Sequence, residues 1–437
     1  MACYRKRQGK KGYIRLWDFC HLITLYNLYN LDGSENTIMF EPEIRRIITF
    51  IATDITHSYK ENDMHFEIMI LAIFSILGLI NGSLWAFLFR KKYWYAHSIL
   101  GLLIGGGAGG YFLWYAKGYT ELGDWSLWLA YVLCGVMVAE IIMVGPFLVL
   151  SLISMIRLLR PLARFLAMVT MVVALVIGVY GSMDGNSREK VERLDIYVEG
   201  LPAGFEGYKF AQLTDTHIGP YFRYTDLPDE LMRAKKEGAK TVFFTGDLID
   251  DVRFMPETGK TLTKMASLFP DGIFYVWGNH EYYRGKAGIR EELVKTPVKL
   301  LENDSAFLSR GGQKIYLAGV DYPWSKGEEK QQEMDTMIEQ AYAKIPAGAP
   351  SILLAHHSDF IDEGFKKGAF LTLTGHTHGT QFGWMDQPII TPFRYTRGLY
   401  SDGVHQGYVS RGDASWFPFR FMCPREMVIV TLHKKSS

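Results

Sequence analysis

The chain has 437 residues, too many for one ordinary domain, and its 47 basic side chains against 46 acidic ones give a net charge of +1. That balance excludes nucleic acid as the expected partner, because phosphate backbones select for a basic excess. Four cysteines, Cys3, Cys20, Cys134 and Cys423, are too few and too dispersed for a disulfide framework.

The opening residues, 1–65, lack a signal-peptide core and any sustained periodicity, so they read as a poorly ordered extension, or as a misassigned start ahead of Met64 or Met69. Within 66–183, four apolar stretches are long enough to span a bilayer: Ile68 to Phe89, Trp94 to Ala116, Trp125 to Ser154 and Phe165 to Ser182. Trp85, Trp94, Trp114, Trp125 and Trp128 lie toward their ends, as an interfacial belt would. Arg90, Lys91 and Lys92 follow the first span, and Arg157, Arg160 and Arg164 precede the fourth, whereas the middle loop sets Lys117 against Glu121 and Asp124. Basic loops stay cytoplasmic, so the chain is expected to be a multi-pass protein of the cytoplasmic membrane whose C-terminal half is extracytoplasmic. Gly101, Gly105 and Gly109 share one helix face, which suits packing inside the bundle first and a homo-oligomer second. Glu140, at mid-depth of the third span, needs a partner, and Asn81 in the first lies at a similar depth. A run of small and polar residues at 184–190 reads as a linker.

From 191 to 435 the pattern becomes that of a soluble α/β domain. Short apolar runs at Phe210 to Leu213, Thr241 to Phe244, Ile273 to Trp277, Ile352 to Ala355 and Phe370 to Leu373 predict buried strands. Helices are predicted at Asp226 to Glu237, Thr258 to Leu268, Lys286 to Lys295 and Glu328 to Ala343. Each strand precedes a polar cluster: Asp215-Thr-His217, Gly246-Asp247-Leu-Ile-Asp250, Gly278-Asn279-His280-Glu281, His356-His357 and Gly375-His376-Thr-His378. Since ligands gather outside the carboxyl ends of strands in such a sheet, these clusters are expected to meet at one edge. Acid, imidazole and amide donors in that number can hold two divalent metals around one phosphate ester. Mixed nitrogen and oxygen donors suit manganese, iron or zinc better than calcium. Isolated histidines such as His405 and His433 read as ordinary packing or surface residues.

These five blocks, in this order, resemble the calcineurin-like metallophosphoesterase superfamily, and the tail around Tyr408 to Gly412 and Arg420 to Pro424 resembles closing strands of its membrane-associated bacterial branch. Two departures stand out: Thr380 where that branch has a second glycine, and Ser358 where it has a proline. The resemblance implies a helical membrane bundle followed by a four-layer α/β sandwich of two mixed sheets flanked by helices. It assigns Asp215, His217 and His378 to one metal and Asn279, His356 and His376 to the other, with Asp247 bridging. Either of the tandem histidines could serve, and the family register favours His356. Metal-held hydroxide would attack, His280 would stabilise charge or protonate the leaving group, and Asp250 and Glu281 would orient imidazoles. A phospholipid or lipid-linked phosphate is the leading substrate, brought close by the bilayer. Phe382, Trp384, Phe393, Trp416 and Phe417 are candidates for a lipid-facing lip beside the site. Two other readings are a transporter or sensor with an accessory phosphatase, and a catalytically silent metal-binding module.

Overall fold

A computed structural model describes residues 63–187, 189–385 and 387–435; the extension expected at 1–65 lies almost wholly outside the described residues. Four helices come first: α1 (Asp63–Leu88), α2 (Trp94–Gly118), α3 (Asp124–Ile153) and α4 (Arg160–Ser187). All four are long and apolar enough to cross a membrane. Their outward faces keep large apolar side chains exposed, among them Leu103 at 62% and Val176 at 60%, which in water would be costly and in lipid is not. Gly101 and Gly105 lie against the backbone of α1 at Gly78 and Phe74, so any side chain there would collide with a carbonyl. At Gly101 and Gly105 that face is therefore occupied within the bundle, the first of the two uses expected of it. Asn81 Nδ2 donates to the Glu140 carboxylate and, at 2.9 Å, to its carbonyl oxygen, the pairing expected of two polar groups at that depth.

Among the described residues, helix α4 continues to Ser187 and strand β1 (Glu189–Val198) begins at Glu189, so most of the stretch read as a linker at 184–190 lies within these two elements. The small residues there serve close packing rather than freedom: Gly181 abuts the Phe419 ring, Gly185 abuts the Arg420 backbone, and Arg420 N–H donates to the Gly181 carbonyl at 2.9 Å.

The first sheet has the order β1, β14 (Arg425–Lys434), β2 (Lys209–Leu213), β3 (Val242–Thr245), β4 (Ile273–Val276), β5 (Lys299–Leu300). Its β14–β2 pair is antiparallel and the rest are parallel. In the second sheet the order is β12 (Gly398–Ser401), β13 (Gln406–Val409), β9 (Leu371–Thr374), β8 (Ser351–Leu354), β7 (Gln313–Gly319), β6 (Asp304–Arg310), with antiparallel pairs at both edges. The short strands β10 (Gly383–Trp384) and β11 (Gln387–Pro388) pair only with each other. Strands β2, β3, β4, β8 and β9 are buried on both faces, which is why they read as continuous apolar runs rather than alternating ones.

Between the sheets lies a core in which Phe210, Phe243 and Phe274 stack in sequence, ring centroids 4.9 and 5.8 Å apart, against Ile352, Leu354 and Leu371. Truncating the central Phe243 to alanine would cost about 3–5 kcal/mol. Helices α5 (Leu227–Lys236), α6 (Met255–Met265) and α8 (Lys286–Leu293) cover the outer face of the first sheet. Helix α9 (Gly327–Tyr342), with Met334, Met337 and Ile338, covers the second together with α10 (Phe360–Lys367). The four layers follow from these faces. Two short helices, α7 (Asn279–Arg284) and α10, add to the predicted set, and Arg420–Pro424 is a loop rather than a strand.

Candidate metal centre

The five polar clusters meet beyond the carboxyl ends of β2, β3, β4, β8 and β9, each strand delivering the residues that immediately follow it. Three sets of donors fall together: Asp215 with His217 and His378; Asp247 with His356 and His376; and His217 with Asp247 and His280. His217 Nε2 lies 3.1 Å from His378 Nε2, which is 3.3 Å from Asp215 Oδ1. Across the cluster, His356 Nε2 is 3.1 Å from Asp247 Oδ2, and His376 Nδ1 is 2.9 Å from Asn279 Oδ1. An ion with bonds of about 2.1 Å places neighbouring donors about 3–3.4 Å apart, so these spacings fit one.

Tautomers point the same way. His356 Nδ1–H donates to the Thr245 carbonyl at 2.7 Å, and His378 Nδ1 lies 3.2 Å from the Ala414 carbonyl. The first leaves His356 Nε2 as a lone pair aimed into the cluster, the usual outer support of a ligating imidazole, whereas His378 Nδ1 also lies 3.2 Å from the donor Arg420 Nη2. His356 Nε2, fully buried, faces the Asp247 carboxylate at 3.1 Å, so a proton or an ion must lie between the two. Burial first, then the neighbouring charges of His356 and His357, hold His376 well below the ordinary imidazole range; burial, His217 and Arg420 do the same for His378. Of the tandem pair, His356 faces the cluster, whereas His357 turns to Lys330 at 3.1 Å.

The backbone under these residues is strained. Asp215 (φ +54°), His217 (+45°), Asp247 (+53°), His376 (+70°) and His378 (+50°) all occupy the left-handed region, which non-glycine residues rarely visit. Such conformations persist where the surroundings over-determine them, and their concentration on one cluster marks a site rather than a packing accident. Glycines of the motifs make room: Gly246 has φ +91°, and a Cβ there would sit 2.5 Å from His356 Nδ1.

Asp250 orients imidazoles as expected, accepting from His280 Nδ1 at 2.6 Å and lying 3.4 Å from His217 Nδ1. Burial opposes the charge on His280, but Asp250 and Asp247 outweigh it and push the imidazole up to about 9. Glu281 does something else. Its carboxylate touches no imidazole and instead accepts the backbone N–H groups of Leu248 at 2.7 Å, Gly278 at 2.9 Å and Asp247 at 3.1 Å, stapling two loops together.

Sequence reasoning missed several contributors. Asp413 Oδ2 accepts from Thr214 N at 2.8 Å, and the fully buried Arg420 donates to the Arg411 and Ala414 carbonyls, fixing the loop behind His378. Tyr322 stands over His376, ring centroids 5.5 Å apart. The sole sequence signal for these was the tail around Tyr408 to Gly412 and Arg420 to Pro424. Of the aromatics considered for a lip, Trp384 is 54% exposed and Trp416 37%, while Phe382 packs on Phe419 and Phe421.

Residues 208–380 match the calcineurin-like phosphoesterase family. An uncharacterized metallophosphoesterase of Helicobacter pylori is 31% identical over 261 residues, covering 59% of this chain and 67% of its own. One from Bacillus subtilis is 29% identical over 244 residues, 53% of this chain and 81% of that one. A transmembrane protein with a metallophosphoesterase domain from Danio rerio is 26% identical over 279 residues, 60% of this chain and 61% of that one. The chain belongs to the calcineurin-like phosphoesterase family and is a hydrolase of phosphoesters. Its four long apolar helices make it a membrane protein of that family.

Proposed function

We propose that the centre is dinuclear, with Asp215, His217 and His378 holding one divalent ion, Asn279, His356 and His376 the other, and Asp247 shared between them. Manganese, iron or zinc fits this donor set. Such a pair supplies an activated water and neutralises phosphoryl oxygens. The observation that supports it is the facing of two donors: His356, its Nδ1–H engaged by Thr245, turns Nε2 to the Asp247 carboxylate at 3.1 Å, where both could ligate one ion.

Around that centre each side chain has a task. His280, held by Asp250 through Nδ1, presents Nε2 toward the cluster 4.0 Å from Asp247 and delivers a proton to the departing oxygen. Glu281 keeps the Asp247 and Asn279 loops in register through its backbone bonds. Domain boundaries follow as a membrane region from Asp63 through α4 and a catalytic domain from β1 to β14. The loop charges put the catalytic domain on the extracytoplasmic side of the cytoplasmic membrane, where a lipid-linked or other envelope phosphoester is the substrate. A screen of phosphomonoesters, phosphodiesters and phospholipids with the manganese-loaded protein tests this reading. Turnover that disappears with a chelator and returns with the ion is expected; chelator-resistant turnover contradicts it.

A further inference from the structure

A cleft of about 340 Å³ is lined by His217 and Asp250 of the metal centre, by Phe112, Leu113 and Ala116 of α2, and by Trp416. That size lies within the range of small-ligand sites. Two ion pairs sit on its rim, Lys117 with Glu67 at 2.7 Å and Arg253 with Asp251 at 2.6 Å.

The wall supplied by α2 is fixed to the catalytic loops. Phe112 stacks on Tyr221 at 6.3 Å and packs on Phe417 at 5.6 Å. Tyr115 Oη donates to the Pro220 carbonyl at 3.3 Å, and Tyr119 Oη donates to Asp251 at 3.0 Å. The loop that carries His217 and the loop that carries Asp250 are therefore braced against the end of a membrane-crossing helix. Trp114 and Ile68, next in sequence to the lining residues Leu113 and Glu67, are 50% and 57% exposed on the membrane-crossing helices.

We propose that this cleft takes an amphiphilic phosphoester, its phosphate at the metal centre and its hydrocarbon chain along Leu113 and Ala116 toward the bilayer. The inference rests on the phosphoesterase reading and adds the seat of the chain. A polar substrate would leave this apolar wall facing water. For a chain, each methylene fully buried is worth about fourfold in binding, so even partial burial of a few gives a large preference.

The test uses the full-length, manganese-loaded protein in nanodiscs with alkyl phosphates and alkyl p-nitrophenyl phosphates of increasing chain length, ethyl to decyl, below their micelle-forming concentrations. In the wild type, kcat/KM should rise at least about tenfold along whichever series is hydrolysed. Ala116→Trp, which fills the cleft, should flatten the rise to less than about threefold, and the milder Leu113→Ala should reduce it by about threefold. Leu103→Trp, on the lipid-facing side of the same helix, should keep the full rise and so controls for partitioning into the nanodisc. A flat wild-type profile overturns the assignment of the cleft while leaving the hydrolase intact. Equal losses for ethyl and decyl esters in Ala116→Trp, or flattening by Leu103→Trp, also overturn it. Absence of turnover for every ester in the wild type would instead remove the phosphoesterase reading on which it stands.

Discussion

Thr380 stands where the family pattern that the chain resembles implies a second glycine, and its φ of +61° lies in the left-handed region that favours glycine. A β-branched residue in the left-handed region stores about 1 kcal/mol or more, offset in part here by the Thr380 hydroxyl donating to the Gly379 carbonyl at 2.7 Å. Thr380→Gly should therefore raise stability by up to about 1 kcal/mol, read as a higher midpoint of thermal unfolding; an unchanged or lower midpoint would show that the strain is already relieved. His280 and Asn279 differ in a way kinetics can separate. His280→Ala should leave both ions bound and slow alkyl esters by about 10²- to 10⁴-fold, with a much smaller effect on nitrophenyl esters, whose leaving group needs little protonation. Asn279→Ala should lower metal occupancy. If His280→Ala empties a site, or slows good and poor leaving groups alike, His280 is structural. That the five motifs converge was readable because each follows a strand of the sheets. The task of Glu281 was not, since a carboxylate beside an imidazole in sequence can turn equally well to backbone N–H groups, as this one does.

At the scale of elements, strands β2, β3, β4, β8 and β9 announced themselves as apolar runs because both their faces are covered. The end of α4 did not. A glycine-bearing stretch looks the same whether it bends freely or admits a neighbour, and what decides here is Phe419 and Arg420, far along the chain. The glycine face of α2 carries the same lesson with a test attached. Gly105→Leu would drive a side chain into the Phe74 carbonyl of α1. It should lower the thermal midpoint in detergent while leaving the number of chains per particle, measured by light scattering, unchanged. A change in that number without loss of stability would return the face to an interface between copies.

Over the whole molecule, Glu67 of α1 and Lys117 of α2 line the same cleft as His217 and Asp250, while Arg90 to Lys92 and Arg157 to Arg164 lie at the other ends of the helices. A reporter that works only outside the cytoplasm, fused after Ser437, should be active; activity of a cytoplasm-only reporter would invert the topology. No sequence pattern revealed the shared cleft, because Lys117, His217, Arg284 and Trp416 come from four separate segments and meet only in the fold. In the proposed centre Asp247 joins two ions, which electron paramagnetic resonance of the manganese-loaded protein tests when metal content is measured on the same sample. Two ions per chain are expected, with an exchange-coupled signal that Asp247→Asn abolishes together with turnover on every ester. One ion per chain, or an uncoupled signal in the wild type at full activity, would contradict it.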